Sequence, residues 1–430
     1  MNMSSKKLLV IAGAVILSIV LLAACGGGGS ESTVGDDGGG GGGSNGVVKI
    51  GGIFDETGAT GDVGAPYADG ARSYVEYINS QGGIDGVNIE LISEDYAYDI
   101  SRAQQIYQSL RDRHDVSAII GWGTGDTEAL RSQIIADQIP YFSGSLSENL
   151  KDTGSESGFN YLVAASYSDQ GRAVLEWIRE NHEGDFPVTL ALVYEKGNPF
   201  SESPMQDIKD YAAEQMDGEI EIVNDILIEL SDNDPLTTLQ AYERNQGQPD
   251  YAITQYTWGQ TRNVVRDAHN LEWNTQFIGL NWAGGEGIVP SGADNQQWVE
   301  ALDGFMATIT HAFPYEDLPG MEPILQYLES KGRSIEDDDV NQKFVQGWVT
   351  MSIFGEAIRI ALEDYSPDEI DGVVMKEAIE QIDDLDLGGL AANVSFSPDN
   401  HAGTDRLRLG QLRDGQWEII QDYFGISDYQ

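Results

Sequence analysis

Apolar residues along this chain follow two alternating rhythms. Short continuous apolar runs read as buried strands. Between them, apolar positions recur at i, i+3, i+4 and i+7, the spacing of a helix with one buried face. Val47 to Phe54 predicts the first strand, and Asp55-Glu56-Thr57-Gly58 turns the chain. Ala71, Tyr74, Val75 and Ile78 predict a helix that Gln81-Gly82-Gly83 stops. Val87 to Ile92 is the second strand. Ala103, Ile106, Tyr107 and Leu110 repeat the helical spacing, and Val116 to Gly121 is the third strand. Alternating β and α units of this size imply a doubly wound parallel sheet with right-handed crossovers.

The rhythm restarts after Tyr161-Leu162-Val163. Val174, Trp177 and Ile178 mark a helix, Val188 to Tyr194 a strand, and Met205, Ile208, Tyr211 and Ala212 a helix. Ile220 to Ile228, Tyr251 to Thr254 and Gln276 to Leu280 predict further strands, with a helix through Val264, Val265, Ala268 and Leu271. This is a second sheet of the same kind. Helices from Val345 to Leu362 and Val373 to Ile382 follow. Leu407, Leu409 and Leu412 then alternate ahead of Asp414-Gly415 and Trp417 to Ile420, a strand-like ending.

One stretch organises the candidate chemistry. Ala118-Ile119-Ile120-Gly121 ends a buried strand. Trp122-Gly123-Thr124-Gly125-Asp126-Thr127 then makes a tight turn in which Thr124, Asp126 or Thr127 caps a helix. A second short strand, Ile139 to Phe142, ends in Ser143-Gly144-Ser145. In an open parallel sheet both loops leave the carboxyl edge, where ligands bind. They read as two walls of a pocket for a small polar molecule. The same residue types also serve ordinary capping and turns.

Composition changes this picture at the N-terminus. Lys6 and Lys7 precede an apolar run from Leu8 to Ala24, the pattern of an export signal, with an uncleaved membrane anchor as the alternative. Leu22-Ala23-Ala24-Cys25 resembles the lipobox of bacterial lipoproteins. That resemblance implies removal of residues 1–24 and lipidation of Cys25. Residues 25–46 are almost all Gly, Ser, Asp and Glu, too polar to bury a core, and read as a disordered tether. A Gly-rich coil of this length spans roughly 25 Å.

The chain has 430 residues, enough for two domains, and a formal net charge of −47. Such acidity argues against binding nucleic acid or an anionic membrane surface through charge, and it is compatible with a saline habitat. Cys25 is the only cysteine, so there is no intramolecular disulfide and no thiolate metal site in the folded part. His114, His182, His269, His311 and His401 lie far apart, so no zinc site is expected, nor any cofactor. No Gly-x-Ser-x-Gly, P-loop or Gly-x-Gly-x-x-Gly motif follows a predicted strand, and no catalytic activity is expected.

Several features together carry a family resemblance. They are the export signal with its lipobox, the first strand ending near Thr57-Gly58, and Ile119-Ile120-Gly121 before a Thr/Gly turn. The most specific is Asn79-Ser80-Gln81-Gly82-Gly83-Ile84-Asp85-Gly86. From residue 47 almost to its end the chain resembles the substrate-binding lipoproteins of branched-chain amino acid and amide ABC importers, which have the type I periplasmic binding protein fold. The resemblance implies two doubly wound parallel-sheet lobes joined by a three-stranded hinge. Lobe 1 would comprise 47–165 and 316–405, and lobe 2 would comprise 166–315 and 406–430. A monomer would capture an amino acid, amide or related carboxylate between the lobes and deliver it to a membrane permease. A ligand-sensing surface receptor of the same fold is the alternative.

The resemblance also implies site residues. Trp122, Thr124, Gly125, Ser143, Ser145 and Ser147 match the loops that hold the ligand carboxylate through backbone N–H groups and small hydroxyls. Asp126 would repel such a ligand unless it caps the helix and points away. From the second lobe, Tyr167, Phe200, Tyr256, Trp258, Asn281 and Trp282 match. Amino-acid binders place an acid where this chain has Asn281, so a charge-assisted bond to an ammonium is lost. Glu286 lies a few residues on and could substitute, which keeps a free amino acid open as ligand. The aromatic residues suit an apolar, aromatic or amide ligand.

Overall fold

The computed structural model describes residues 46–151, 158–292 and 295–429. The export signal, Cys25 and the tether up to residue 45 lie outside the described residues.

The first sheet is built from β1 (Val47–Phe54), β2 (Asn88–Asp95), β3 (Ala118–Ile120), β4 (Tyr141–Phe142) and β5 (Asn160–Tyr161). All pairings are parallel, in the order β2-β1-β3-β4-β5. Helices α1 (Gly61–Ser80), α2 (Ile100–Ser109) and α3 (Thr124–Asp137) connect the first strands. The strand β1 is apolar without alternation because helices cover both faces of the sheet, and it is buried from Ile50 onward. The segment 79–86 sets the register of β2. Asn79 donates from Nδ2 to the Ile89 carbonyl (2.8 Å) and accepts the Ile89 N–H (2.9 Å), while Gly82, Gly83 and Gly86 take positive φ between them.

The second half runs through α4 (Tyr167–Asn181), β6 (Val188–Tyr194), α5 (Pro199–Glu202), α6 (Met205–Gln215), β7 (Ile220–Ile222) and β8 (Ile226–Leu227). It continues with α7 (Leu236–Gln246), β9 (Tyr251–Thr254), α8 (Trp258–Asn270), β10 (Gln276–Gly279), α9 (Asn295–Leu302) and β11 (Met306–Ile309). Its parallel core, β7-β6-β9-β10-β11, repeats the strand order of the first sheet. The run Ile220–Ile228 is not one strand. It breaks at Val223-Asn224-Asp225, where Asp225 accepts from Tyr194 (2.8 Å) and Lys209 (2.7 Å), so β7 and β8 pair with different parts of β6. The strand β11 and the helices α7 and α9 fall where the apolar pattern predicted nothing; β11 is only four residues long.

The chain then returns to the first sheet through α10 (Met321–Lys331), α11 (Gln342–Ala361) and α12 (Gly372–Ile379), before β12 (Leu407–Arg413) and β13 (Gln416–Phe424) add an antiparallel hairpin to the second. Glycines let α1 and α11 cross closely. A Cβ on Gly70 would stand 1.9 Å from the Phe344 carbonyl oxygen, and one on Gly347 would stand 1.9 Å from that of Tyr67. The chain thus passes between the halves three times, after β5, after β11 and before β12.

Candidate functional site

Each sheet reverses its strand order beside its first strand, between β1 and β3 and between β6 and β9. The crevice outside the carboxyl ends at such a point is where open α/β sheets bind ligands. The two reversal points face one narrow cavity. The first half lines it with Thr60 and Val63 after β1, Tyr98 after β2, Trp122, Gly123 and Thr124 after β3, and Gly144 and Ser145 after β4. The second half lines it with Tyr167 at the start of α4, Phe200 after β6, Thr257 after β9 and Trp282 after β10.

On the first side, a buried relay fixes the Trp122 indole. Its Nε1–H donates to Thr60 Oγ1 (2.8 Å), whose own proton goes to Asp55 Oδ2 (2.7 Å). Thr124 and Ser145 join the two loops of this half through their hydroxyls, 2.5 Å apart. The Ser145 N–H donates to the Trp122 carbonyl (2.6 Å). Gly123, not Thr124, Asp126 or Thr127, is the N-cap of α3. Asp126 instead accepts the Gly123 N–H (3.2 Å) and the Tyr96 O–H (2.8 Å), and it does not line the cavity. Burial pushes its carboxyl up to about 7.

On the second side the rings hold one another. Trp282 Nε1–H donates to the Tyr167 hydroxyl (2.7 Å), and the Trp282 ring meets that of Trp122 at 4.8 Å between centroids. Tyr67 backs both indoles, at 5.1 Å from Trp122 and 6.2 Å from Trp282. Asn198 caps α5 by accepting the Phe200 N–H (3.0 Å), which holds Phe200 against Tyr167.

Further contacts join the halves around the cavity. Asp62 on α1 accepts the Gly259 N–H and the Thr257 hydroxyl at the start of α8, both at 3.0 Å. Lys343 on α11 donates to the Asn281 carbonyl (2.7 Å) and lies 5.0 Å from the centre of the Trp282 ring. Burial pushes the Lys343 ammonium down to about 7.

Of the residues predicted from sequence, Trp122, Thr124, Ser145, Tyr167, Phe200 and Trp282 line the cavity; Gly125, Ser143, Ser147, Tyr256, Trp258 and Asn281 do not. Gly125 faces Ile100 and Pro199, which a Cβ would meet at 3.3 and 3.4 Å. Ser143 donates to the Trp122 carbonyl (3.1 Å), and the Ser147 N–H donates to Ser145 Oγ (3.2 Å), so both brace Ser145 from behind. Tyr256 is buried and donates to the Ile228 carbonyl (2.6 Å). Trp258 covers Gly285 and Gly287. The Asn281 side chain turns into the second half, where Oδ1 accepts from Thr310 (2.5 Å), while the Asn281 backbone N–H donates to Gln170 Oε1 (2.9 Å). Glu286 accepts the Gln342 N–H (3.0 Å) away from the cavity, and burial pushes its carboxyl up to about 7. Thr60, Tyr98 and Thr257 were missed. Thr60 and Thr257 follow strands at the reversal points, β1 and β9, and Tyr98 follows β2 next to β1, so position rather than residue type was their signal.

The comparisons agree with this architecture. A periplasmic binding protein family model matches residues 47–416. Among solved structures, a branched-chain amino acid ABC transporter protein from Thermus thermophilus with bound valine is 23% identical with a TM-score of 0.78, covering 88% of this chain and 96% of its own. An ABC transporter substrate-binding protein from Aeropyrum pernix is 28% identical at 0.76, with the same coverage. A fatty acid ABC transporter substrate-binding protein from Thermomonospora curvata is 19% identical at 0.75, covering 89% of this chain and 93% of its own. None of the curated protein sequences matches. The chain belongs to the periplasmic binding protein family and has its type I fold.

Proposed function

We propose that this chain is the extracytoplasmic solute-binding component of an ABC importer. A monomer tethered through a lipidated Cys25 captures one small molecule between two lobes, 47–165 with 316–405 and 166–315 with 406–430. It presents that molecule to a membrane permease without altering it. The observation that carries this reading is the pairing of two sheet-reversal points around a single cavity. The similar proteins named above as ABC transporter components support the permease as partner. The three crossings serve as a hinge. Ligand enters the open form, and the closed form is favoured because it adds contacts such as Asp62 to the start of α8 and Trp122 to Trp282.

A thermal-shift screen of amino acids, amides and short carboxylates tests it, since a ligand that binds only the native state raises the midpoint. Binding of one molecule per chain, recovered chemically unchanged, is the expected result. Turnover of that molecule by the purified protein would overturn the reading.

A further inference from the structure

The polar side chains that line the cavity are bonded within the protein, with one exception. Thr60 bonds Trp122 and Asp55, and Thr124 bonds Ser145. Tyr167 bonds Trp282, and Thr257 bonds Asp62. The Tyr98 hydroxyl has no hydrogen-bond partner among the described residues, although its half-buried ring lines the same cavity.

The backbone holds that ring in place at a cost. Ala97 and Tyr98 take φ of 52° and 58°, the signs of a type I′ turn, which suits Gly, Asn or Asp rather than a bulky ring. Asp95 pins the turn by accepting the Ala97 and Glu56 N–H groups (2.9 and 3.0 Å). The Asp99 N–H closes it on the Tyr96 carbonyl (3.0 Å). Such strain persists where the surroundings over-determine it, and it concentrates at ligand sites. A Cβ on Gly123 would stand 3.1 Å from Tyr98 Cε2, so the ring lies over the loop after β3. Two residues on, Ile100 meets Gly125 alongside Pro199 of the second half, which puts this turn on the seam between the halves.

Burial, and then the Asp126, Asp55 and Glu195 carboxyls, hold the phenol well above its ordinary range. It therefore keeps its proton and offers both a donor and an acceptor. A ligand hydroxyl matches that pair, whereas an anionic oxygen there would face the same carboxyls. A methyl group in that position would strip water from the phenol and return no bond. We propose that Tyr98 is a specificity-determining residue of the cavity: its hydroxyl bonds a hydroxyl of the ligand and selects hydroxylated solutes over their methyl isosteres. This rests on the solute-binding reading above and names what the site selects for.

Three pairs of probes test it, each exchanging one hydroxyl for a methyl: L-threonine and L-valine, lactamide and isobutyramide, lactate and isobutyrate. Calorimetry on the wild-type protein is expected to show ~10-fold tighter binding of the hydroxyl member in at least one pair. Tyr98→Phe is expected to bring that ratio close to one. The apo melting point should stay in place, because the variant loses no bond within the protein; a clear fall would place the hydroxyl in such a bond and overturn the proposal. Binding without a preference in any pair, or a preference that survives in Tyr98→Phe, also overturns it and leaves solute binding standing. Should none of the six bind, mass spectrometry of molecules released from the heat-denatured protein decides. A retained solute whose amount per chain falls ~10-fold in Tyr98→Phe supports the proposal, and one retained equally by both proteins overturns it. No retained molecule removes both the proposal and the solute-binding reading.

Discussion

Around β1, β3 and β4 the cavity rim carries Thr60, Thr124 and Ser145 with a single indole, Trp122; around β6 and β10 it carries the rings Phe200 and Trp282. Yet the two sheets have the same strand order, and their loops arise at equivalent places. The loop after the fourth strand shows the contrast best. In the first half it delivers Ser145, and in the second it delivers Trp282. The duplicated topology therefore fixes where the loops of the two halves meet, while the loop sequences decide what each half presents there. The first half presents mainly hydroxyls and the second mainly rings.

The strongest way to break this contrast is to remove the ring wall. Trp282→Ala deletes contacts with Trp122, Tyr67 and Tyr167 at once. It should weaken ligand binding by ~100-fold or more and lower stability by ~3–5 kcal/mol, the usual cost of deleting a large buried ring. Urea unfolding and calorimetry on the same sample check both. Affinity within a few-fold of wild type would mean that the ring wall does not hold the ligand.

Ser145→Ala addresses the opposite rim and should act more mildly. It removes one link of the hydroxyl chain and leaves the Ser145 N–H bond to Trp122 in place. Binding should weaken ~10-fold, in line with the loss of one hydrogen bond, and the apo melting point should fall modestly because the buried Ser147 N–H loses its acceptor. Asn281→Ala should behave the other way round. It removes the Thr310 bond to Oδ1, leaving His311 Nδ1 (2.9 Å) as that hydroxyl's remaining neighbour, and lowers the melting point, with a smaller effect on affinity than Ser145→Ala. A larger affinity loss from Asn281→Ala would return that residue to the cavity.

These contrasts also explain what was legible in the sequence. The strands Val188–Tyr194 and Tyr251–Thr254 match their apolar runs because burial on both faces leaves an uninterrupted signal. Trp122 and Ser145 were legible because they lie within a few residues of strand ends whose loops must exit at the carboxyl edge. Asn281 sits at such an end too, but its orientation is set by Gln170, Thr310 and Lys343, which lie 111, 29 and 62 residues away. No local pattern encodes partners at those separations. The strand order, and with it the importance of Thr60 and Thr257, also depends on which strands meet across long gaps in sequence.

Asp62→Asn weakens the link between the halves at the Thr257 end of the rim. An amide still accepts from the Gly259 N–H but loses the charge that favours a helix N-terminus. Affinity should fall a few-fold through poorer closure, and small-angle scattering of the liganded variant should show a larger open fraction. An unchanged open fraction would separate Asp62 from closure.

Asp126→Asn should have the smallest effect on affinity, because Asp126 lies behind the hydroxyl rim, bonded to Tyr96 and Gly123. Its signature is pH dependence. The folded protein holds this carboxyl protonated up to about 7, whereas the unfolded chain releases the proton near its ordinary value of 3.8. Below 3.8 both states keep the proton and the group adds no pH dependence. As pH rises toward 7, the unfolded state ionises while the folded state does not, so the wild-type protein loses stability across that window. The asparagine variant has no proton to lose and should escape this decline, melting higher than wild type near pH 8 with the gap closing toward pH 4. Melting curves that stay parallel across the window would show that Asp126 is ionised in the fold. A carboxylate would then stand behind the polar rim, and an anionic ligand on that side would lose its electrostatic basis.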